Sequence, residues 1–373
     1  MANIAHAFLG LTGQEIDWIE IPWTDELPAE DRIYLEGPAV ETAQIRYMKE
    51  SRGTAPGDVT SVELKDGTLH IDLVPSTNKA DWTLCAGDVK LNRSDFTVKT
   101  RTADDKFARL TEGRVMYRLY TPDNASGPRP MILFLHGGGN GGYEDGPGAR
   151  DNEKQLMADY GPVNFAEDYP DIYVMAPMCV EDRDMFKKMN LNARFENSDF
   201  SNDQRYGWSR YYLGLVCDII RRMVKEGKVD PKRIYVTGMS MGGAGTVRMM
   251  SVGSDLFAAA VPVCPSMTPE TFRILSSIRR PVWVTSAYID HSLYRHKYLV
   301  DAVMHMRDSG NNEAHLTLFS PEELEKYDIS ITPSLRKGEN YADLFHQNHW
   351  SWVPTYKNEY GIMSWLLNQT KED

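Results

Sequence analysis

From about residue 112 to the C-terminus, short apolar runs alternate with longer stretches in which apolar residues recur at helical spacing. The runs are bounded by Gly or Pro, and two of them read PMILFL and RIYVTGMS. Continuous apolar runs of this length are typical of strands that are buried on both faces of a sheet. The alternation therefore predicts a mainly parallel sheet with helices on both faces.

The first hundred or so residues show a different pattern, in which apolar and polar residues alternate and Val, Ile and Thr are common. Asp66-Gly67 lies between two such runs in VTSVELKDGTLHIDLV, which is a strong signal for a β-hairpin. We therefore predict a small β-sandwich-like domain over residues 1–110. The α/β domain would then occupy residues 111–373.

Composition and charge exclude several classes of function. The chain has 373 residues and a formal net charge of −12, and an acidic chain repels phosphate backbones, so no nucleic-acid partner is expected. No HExxH motif or Cys/His cluster is present, so neither a metal nor another cofactor is predicted. No apolar run reaches the roughly 18–20 residues that a membrane span needs. The four cysteines form no CxxC pair and are expected to be buried thiols: Cys85, Cys179, Cys217 and Cys264.

The N-terminal sequence bears on the compartment. MANIAHAFLGLTGQE has no basic region followed by a long apolar one, so no signal peptide is predicted. The expected location is the cytoplasm, or outside the cell if a signal peptide precedes this numbering. The oligomeric state is left open, and a homo-oligomer is one of the alternatives.

Gly238-Met239-Ser240-Met241-Gly242 is a G-x-S-x-G pattern that follows a predicted strand and precedes a predicted helix. This context is the nucleophile elbow of the α/β-hydrolase fold, where a sharp turn lifts the serine hydroxyl above the sheet. Gly238 and Gly242 would remove side chains that clash across the turn. We therefore predict that Ser240 is a catalytic nucleophile.

A glycine-rich segment, Leu135-His136-Gly137-Gly138-Gly139-Asn140, follows the run MILFL directly. An acyl-transfer intermediate carries a negative oxygen that needs hydrogen-bond donors already in place. The expected donors of this oxyanion hole are the N–H groups of Gly138 and Met241. His136 is expected to brace the loop, and a phosphate site is disfavoured because no GxxxxGK[ST] motif is present.

The base should be a histidine on a loop after the last strand. Two histidines satisfy this, and we prefer His349, which lies just before the final predicted helix, over His346. The acid should end a late strand between the serine and the base, and Asp290 closes the run PVWVTSAYID. Asp301 falls on an amphipathic stretch, and three later acids are weaker candidates: Glu322, Glu323 and Glu325.

Four segments, VDPKRIYVTGMSMGGAGT, LHGGG, PVWVTSAYID and HWSWVPTY, resemble bacterial α/β-hydrolases of the esterase and predicted-peptidase group. That group is related to feruloyl esterases, polyhydroxybutyrate depolymerases and the prolyl oligopeptidase catalytic domain. The resemblance covers residues 112–373 and implies the α/β-hydrolase fold, a Ser240–Asp290–His349 triad, and Gly138 and Met241 as oxyanion donors. It also implies an immunoglobulin-like N-terminal module.

The sequence departs from the family pattern in two places. Asp290-His291-Ser292 stands where relatives often have Asp-Pro-Val. About thirty residues separate the last predicted strand from His349, which is long for such a loop, so residues 320–345 are a candidate lid.

The combined pattern predicts a serine carboxylic ester hydrolase that works through an acyl-enzyme on a small-molecule or carbohydrate-linked ester. Three tryptophans, Trp208, Trp350 and Trp352, are candidate substrate-binding residues, because aromatic walls suit a planar acyl group or a sugar face. Feruloyl or other carbohydrate-linked esters are therefore the expected substrates. Two alternatives stay open, a serine peptidase of the same fold and a non-catalytic binding protein on this fold.

Overall fold

The chain divides into two compact units, Met1–Asp105 and Lys106–Asp373. The structure is a computed structural model that describes the following residues: 2–10, 13–37, 57–77, 82–100, 106–123, 127–138, 156, 160–180, 207–288, 290, 295–327 and 349–372. The predicted boundary at 110/111 falls inside a strand, Phe107–Glu112, that pairs with Val115–Tyr120 in the second unit. The division therefore lies about five residues earlier than the sequence pattern suggests.

The N-terminal unit consists of two β-sheets. Its strands are β1 Ile4–Gly10, β2 Gly13–Pro22, β3 Ile33–Glu36, β4 Val59–Lys65, β5 Thr68–Thr77, β6 Thr83–Ala86, β7 Val89–Asn92 and β8 Thr97–Thr100. One sheet has the order β4-β5-β2-β1-β8 and the other β3-β6-β7. Ile19, Ile71 and Leu84 belong to one apolar cluster shared by both sheets, as expected for a sandwich-like domain. The immunoglobulin-like assignment stays a prediction.

The C-terminal unit contains an eight-stranded sheet. Its strands are β9 Phe107–Glu112, β10 Val115–Tyr120, β11 Arg129–Leu135, β12 Tyr173–Met178, β13 Val229–Met239, β14 Ala259–Val263, β15 Val282–Ala287 and β16 Ala314–Phe319. The sheet order is β16-β15-β14-β13-β11-β12-β10-β9, and the neighbouring strands of this sheet are parallel except that β10 is antiparallel to β9 and to β12. The prediction of a mainly parallel sheet is confirmed.

Helices cover this sheet. Those in the described residues are α1 Pro162–Asp168, α2 Arg210–Lys225, α3 Met241–Val252, α4 Pro269–Ser277, α5 Arg295–Asp308, α6 Pro321–Glu325, α7 Trp352–Tyr356 and α8 Ile362–Asn368. Helix α2 shows how the sequence specifies them, because Ser209 caps its first turn by accepting from the Tyr212 N–H and its apolar residues bury one face. No helix in the described parts is long and apolar enough to cross a membrane.

The order of the central strands determines where a site can form. After β12 the chain returns to the other side of β11 as β13, so β11 and β13 are neighbours at the point where the strand order reverses. Leu135 of β11 lies in register with Gly238 of β13. Ligands of open α/β sheets bind outside the carboxyl ends of strands at such a switch point. The segments after Leu135 and Gly238 therefore begin side by side where a ligand would bind.

Candidate active site

Ser240 lies at the turn between β13 and α3 with a backbone φ of 58° and ψ of −113°. Positive φ is uncommon for a non-glycine residue, and strained backbone conformations cluster at functional sites. Two backbone hydrogen bonds hold this turn, because the Ser240 N–H donates to the Val263 carbonyl at 2.9 Å and the Ser266 N–H donates to the Ser240 carbonyl at 3.3 Å. The segment after β14 therefore supports the strained serine on both of its peptide groups.

Close packing explains the glycines that flank Ser240. A Cβ atom at Gly242 would lie 1.9 Å from the Leu135 carbonyl oxygen, and one at Gly238 would lie 2.5 Å from the same oxygen. Backbone atoms cannot move aside as a flexible side chain can. The turn can therefore approach β11 this closely only because both positions lack a side chain.

We expect Gly242→Ala to lower the free energy of unfolding by at least about 3 kcal/mol, because the added methyl group overlaps backbone atoms. Urea denaturation followed by circular dichroism measures this. Gly214→Ala is the matched control: Gly214 is inside α2 and has nothing within 4 Å of an added Cβ. The control should gain about 0.5–1 kcal/mol from helix propensity. Equal effects of the two substitutions would contradict the packing explanation.

The structure brings Asp290 and His349 together. Asp290 follows β15, His349 precedes α7, and the two side chains lie 2.8 Å apart between His349 Nδ1 and Asp290 Oδ2. Asp290 is 1% exposed and His349 is 5% exposed. A neutral ring that donates to the carboxylate through Nδ1–H carries its lone pair on Nε2. This is the arrangement of a base whose tautomer is set by an acid.

The predicted oxyanion donors lie at the ends of adjacent elements. Gly138 follows β11, and Met241 is the first residue of α3, where amide groups have no partner inside the helix. The His136 ring is fully buried: Nδ1 donates to the Gly137 carbonyl at 2.8 Å, and Nε2 accepts from the Cys179 N–H at 3.2 Å. The Gly137 carbonyl and the Gly138 N–H belong to one trans peptide plane, so they point in opposite directions. The ring therefore turns the Gly138 N–H away from itself, which agrees with a bracing role.

Burial lowers the pKa of His136 from 6.5 to about 4. Between these two values the unfolded chain binds a proton that the folded chain does not, so stability falls as the pH is lowered through this window. We expect a contribution of up to about 1.4 kcal/mol per pH unit to the free energy of unfolding. Urea denaturation between pH 6.5 and 4.5 measures it. In His136→Gln, which does not titrate, the slope should be smaller by this amount, and an unchanged slope would contradict the assignment.

The three candidate tryptophans occupy different environments. Trp208 is 2% exposed, its indole N–H donates to the His136 carbonyl at 3.0 Å, and its ring lies 4.7 Å from that of His136 between centroids. These contacts favour support of the glycine-rich loop, and a role of Trp208 in binding substrate stays a prediction. Trp352 is also buried and lies edge-on to His349, with ring centroids 5.7 Å apart. Trp350 is partly exposed, so it is the member of the trio best placed to meet a ligand.

Several other predictions can be compared with the structure only in part. His346, Gly139, Asn140 and the His291-Ser292 pair lie outside the described residues, as do residues 328–345 of the candidate lid. Asp301 is exposed on α5, in line with a solvated helix face. Glu323 caps α6 through the Ser320 N–H at 2.7 Å.

Cys264 is a residue near the site whose role the sequence analysis did not predict. It follows β14 directly, is fully buried, and its sulfur lies 4.0 Å from His349 Nε2. The available signal was its position at the end of an apolar run, AAAVPVC, that comes after Ser240 in the chain. An apolar run that ends in Cys is also typical of a core thiol, so this signal alone does not distinguish a core cysteine from one that contacts the site.

Comparison with known proteins bears on the C-terminal unit. The profile of the Prolyl oligopeptidase family matches residues 199–318, a range that includes Ser240 and Asp290. A poly(3-hydroxybutyrate) depolymerase from Ralstonia pickettii is 24% identical over 143 residues, which are 37% of this chain and 25% of that protein. The chain therefore matches only about a quarter of the length of this relative.

Among solved structures, a thermostable esterase is similar over 99% of this chain and 100% of its own, with a TM-score of 0.66 and 20% identity. Thermogutta terrifontis esterase 2 is similar over 68% of this chain and 92% of its own, with a TM-score of 0.40 and 15% identity. A Pyrococcus horikoshii acylaminoacyl peptidase is similar over 97% of this chain and 70% of its own, with a TM-score of 0.43 and 12% identity. The chain has the α/β-hydrolase fold, and the family match and the depolymerase relative support a serine hydrolase on that fold.

Proposed function

We propose that the protein is a serine carboxylic ester hydrolase with Ser240 as nucleophile, His349 as base and Asp290 as the acid that orients it. The observation that carries the proposal is the 2.8 Å hydrogen bond between His349 Nδ1 and Asp290 Oδ2, with both side chains buried. An oriented histidine with its lone pair on Nε2 is what a serine needs to become a nucleophile. Ser240 supplies the strained turn at the carboxyl edge of the same sheet.

The reaction would proceed through an acyl-enzyme. Nε2 of His349 takes the proton of Ser240 as its oxygen attacks the ester carbonyl, and the imidazolium is stabilised by Asp290. His349 then gives the proton to the departing alcohol. Water, activated by the same histidine, attacks the acyl group and releases the acid.

Two backbone amides would hold the negative oxygen that forms in each half of the reaction. They are those of Gly138 and Met241, which begin from the neighbouring strands β11 and β13. Donors fixed by the fold need no reorganisation when charge develops, and each contributes roughly 2.7–4 kcal/mol in enzymes where one was removed. No cofactor takes part in these steps.

Aromatic residues near the acid and the base favour a planar acyl group or a sugar-linked ester as substrate. Tyr288, two residues before Asp290, is 58% exposed, and Trp350, next to His349, is partly exposed. Rings of this kind stack on flat ligands and on sugar faces. We therefore extend the proposal to feruloyl or other carbohydrate-linked esters.

The substrate extension is tested by comparing methyl ferulate with p-nitrophenyl butyrate. We expect Trp350→Ala to lower kcat/KM for methyl ferulate by roughly 10-fold and to change the butyrate value much less, because about 1–2 kcal/mol of ring contact is lost. Tyr211→Ala, which removes a ring that is 46% exposed on α2, is the matched control. Equal loss on both esters, or no preference for ferulate in the wild type, would reject the extension.

A serine peptidase of the same fold is the second candidate, favoured by the match to the Prolyl oligopeptidase family. Both activities would use the same three side chains and differ in the leaving group, an alcohol or an amine. A panel of p-nitrophenyl esters against peptide p-nitroanilides separates them. The esterase proposal expects kcat/KM to be larger on the esters, and the reverse order would favour the peptidase.

A fluorophosphonate probe tests whether the protein is a serine hydrolase at all. The probe labels an activated serine, and peptide mapping by mass spectrometry should place the label on the peptide that contains Ser240. Prior heat denaturation should abolish the labelling, because activation depends on the folded site. A folded protein that the probe does not label would instead support the non-catalytic binding protein.

A further inference from the structure

Cys264 directly follows β14 and lies between Val263 and Ser266, two residues whose backbones bond to that of Ser240. β14 is the neighbour of β13, and Met239 pairs with Val263, so Cys264 begins beside Ser240 at the carboxyl edge of the sheet. On one side of it Val263 accepts the Ser240 N–H, and on the other Ser266 donates to the Ser240 carbonyl. Cys264 is therefore held within the short stretch that fixes the nucleophile's backbone.

The backbone of Cys264 is strained. Its φ is +35°, and its N–H donates to the Thr285 carbonyl at 2.7 Å. Ser240 is another non-glycine residue with positive φ, and the two lie on adjacent strand ends. A left-handed conformation at a residue with a side chain persists only where the surrounding structure enforces it, and such residues cluster at functional sites. Glycine would be the unstrained choice here, yet the chain has a cysteine.

The Cys264 side chain contacts the base. Its sulfur lies 4.0 Å from Nε2 of His349, while Nδ1 at the opposite side of the ring bonds to Asp290. The hydrogen bond at Nδ1 holds one side of the ring, and Trp352 lies edge-on to it. The sulfur adds a contact at Nε2, on the side of the ring opposite Asp290. A thiol suits this place because it is a weak donor, so its contact competes only weakly with the Ser240 hydroxyl for the Nε2 lone pair.

From these contacts we infer that Cys264 is a positioning residue, which holds Nε2 of His349 toward Ser240 while its own segment holds the Ser240 backbone. The inference rests on the proposed function, since it assigns a role in the transfer of the Ser240 proton. It gives a physical reason for a strained cysteine, because glycine would relax the backbone and lose the contact.

Two substitutions separate the effect of the Cys264 side chain from the effect of its backbone strain. Cys264→Gly removes the sulfur and relieves the positive φ, whereas Cys264→Ala removes the sulfur and keeps the strain. If the contact positions the base, both should lower kcat on p-nitrophenyl butyrate by roughly 10- to 100-fold with KM nearly unchanged, as displacement of a catalytic group does. Cys264→Gly should unfold at a higher urea concentration than Cys264→Ala. Cys85→Ala, which removes a buried thiol from the N-terminal unit, is the matched control and should leave kcat unchanged.

Partial unfolding must be kept apart from mispositioning. Active-site titration with the fluorophosphonate probe counts competent molecules, and kcat is divided by that count. The second-order rate of inactivation by the probe is a property of each folded molecule, so it should fall by the same factor as kcat. A purely structural thiol would change the count and leave this rate at the wild-type value.

The outcomes distinguish the two proposals. If the wild type is active and both Cys264→Gly and Cys264→Ala show a lower kcat and a slower inactivation by the probe, the positioning role is supported. If the wild type is active and either variant keeps the wild-type inactivation rate, the positioning role is overturned and the proposed function stands. A folded wild type that neither hydrolyses esters nor reacts with the probe overturns the proposed function and the inference together.

Discussion

Replacing Ser240 by alanine is expected to lower kcat on p-nitrophenyl butyrate by about 10⁶-fold, the loss seen when the nucleophile of a serine hydrolase is removed. The reason is that His349 would then have no hydroxyl to deprotonate, and the acyl-enzyme could not form. Steady-state kinetics at micromolar concentrations of the variant can measure the residual rate. Fluorophosphonate labelling should disappear at the same time.

Two comparisons make this expectation specific. Ser266→Ala is the matched control, because Ser266 contacts Ser240 through its backbone N–H, which the substitution retains. Its kcat should stay within a few-fold of the wild type. The double substitution Ser240→Ala with His349→Ala should be about as slow as Ser240→Ala alone, since groups that act as a unit do not add. If Ser240→Ala kept a tenth of the wild-type rate, the nucleophile would be another residue.

Asp290→Asn is expected to lower kcat by about 10⁴-fold. An asparagine amide can donate to Nδ1, which would place the proton on Nε2 and leave it unable to accept from Ser240. The substitution is nearly isosteric, so the buried site should stay packed and the loss should come from the tautomer. The measurement is kcat/KM across pH 6–9 together with the unfolding free energy.

Asp301→Asn is the control for Asp290→Asn, because Asp301 lies exposed on α5. It should change neither kcat nor stability beyond experimental scatter. A large loss in Asp301→Asn, or a small one in Asp290→Asn, would mean that the acid has been assigned to the wrong residue.

The fold of the C-terminal unit could be predicted because its signals are local. Runs such as PMILFL are buried in β11, where every side chain from Met131 to Leu135 is fully buried. The glycines around Ser240 could be interpreted for the same reason: the turn is five residues long, and its steric demands come from the backbone of those residues and of β11. The pattern itself is short, but the carbonyl that excludes a Cβ at both glycines belongs to Leu135 on another strand, and only the structure shows that contact.

Whether an aromatic ring is buried in the core or exposed to a ligand was harder to predict than its place in the chain. The sequence places Trp208, Trp350 and Trp352 in aromatic-rich stretches, yet Trp208 lies buried against His136 and Trp350 is partly exposed. An indole suits a core and a ligand site equally well, since both reward burial of a large ring and a partner for its N–H. Whether the ring belongs to the core or to a ligand site depends on which other segments of the folded chain cover it.

By itself, the sequence determined the kinds of element and their order, and it placed the Ser240 turn and the glycine-rich loop between those elements, because each of these signals lies in residues close together in the chain. Only the tertiary structure decided that Asp290 Oδ2 lies 2.8 Å from Nδ1 of His349, 59 residues away, and that the sulfur of Cys264 reaches Nε2 of the same ring. Those contacts follow from the strand order, which brings the ends of β13, β14 and β15 to one edge of the sheet. Strand order is set by the packing of the whole core, and no local pattern carries it.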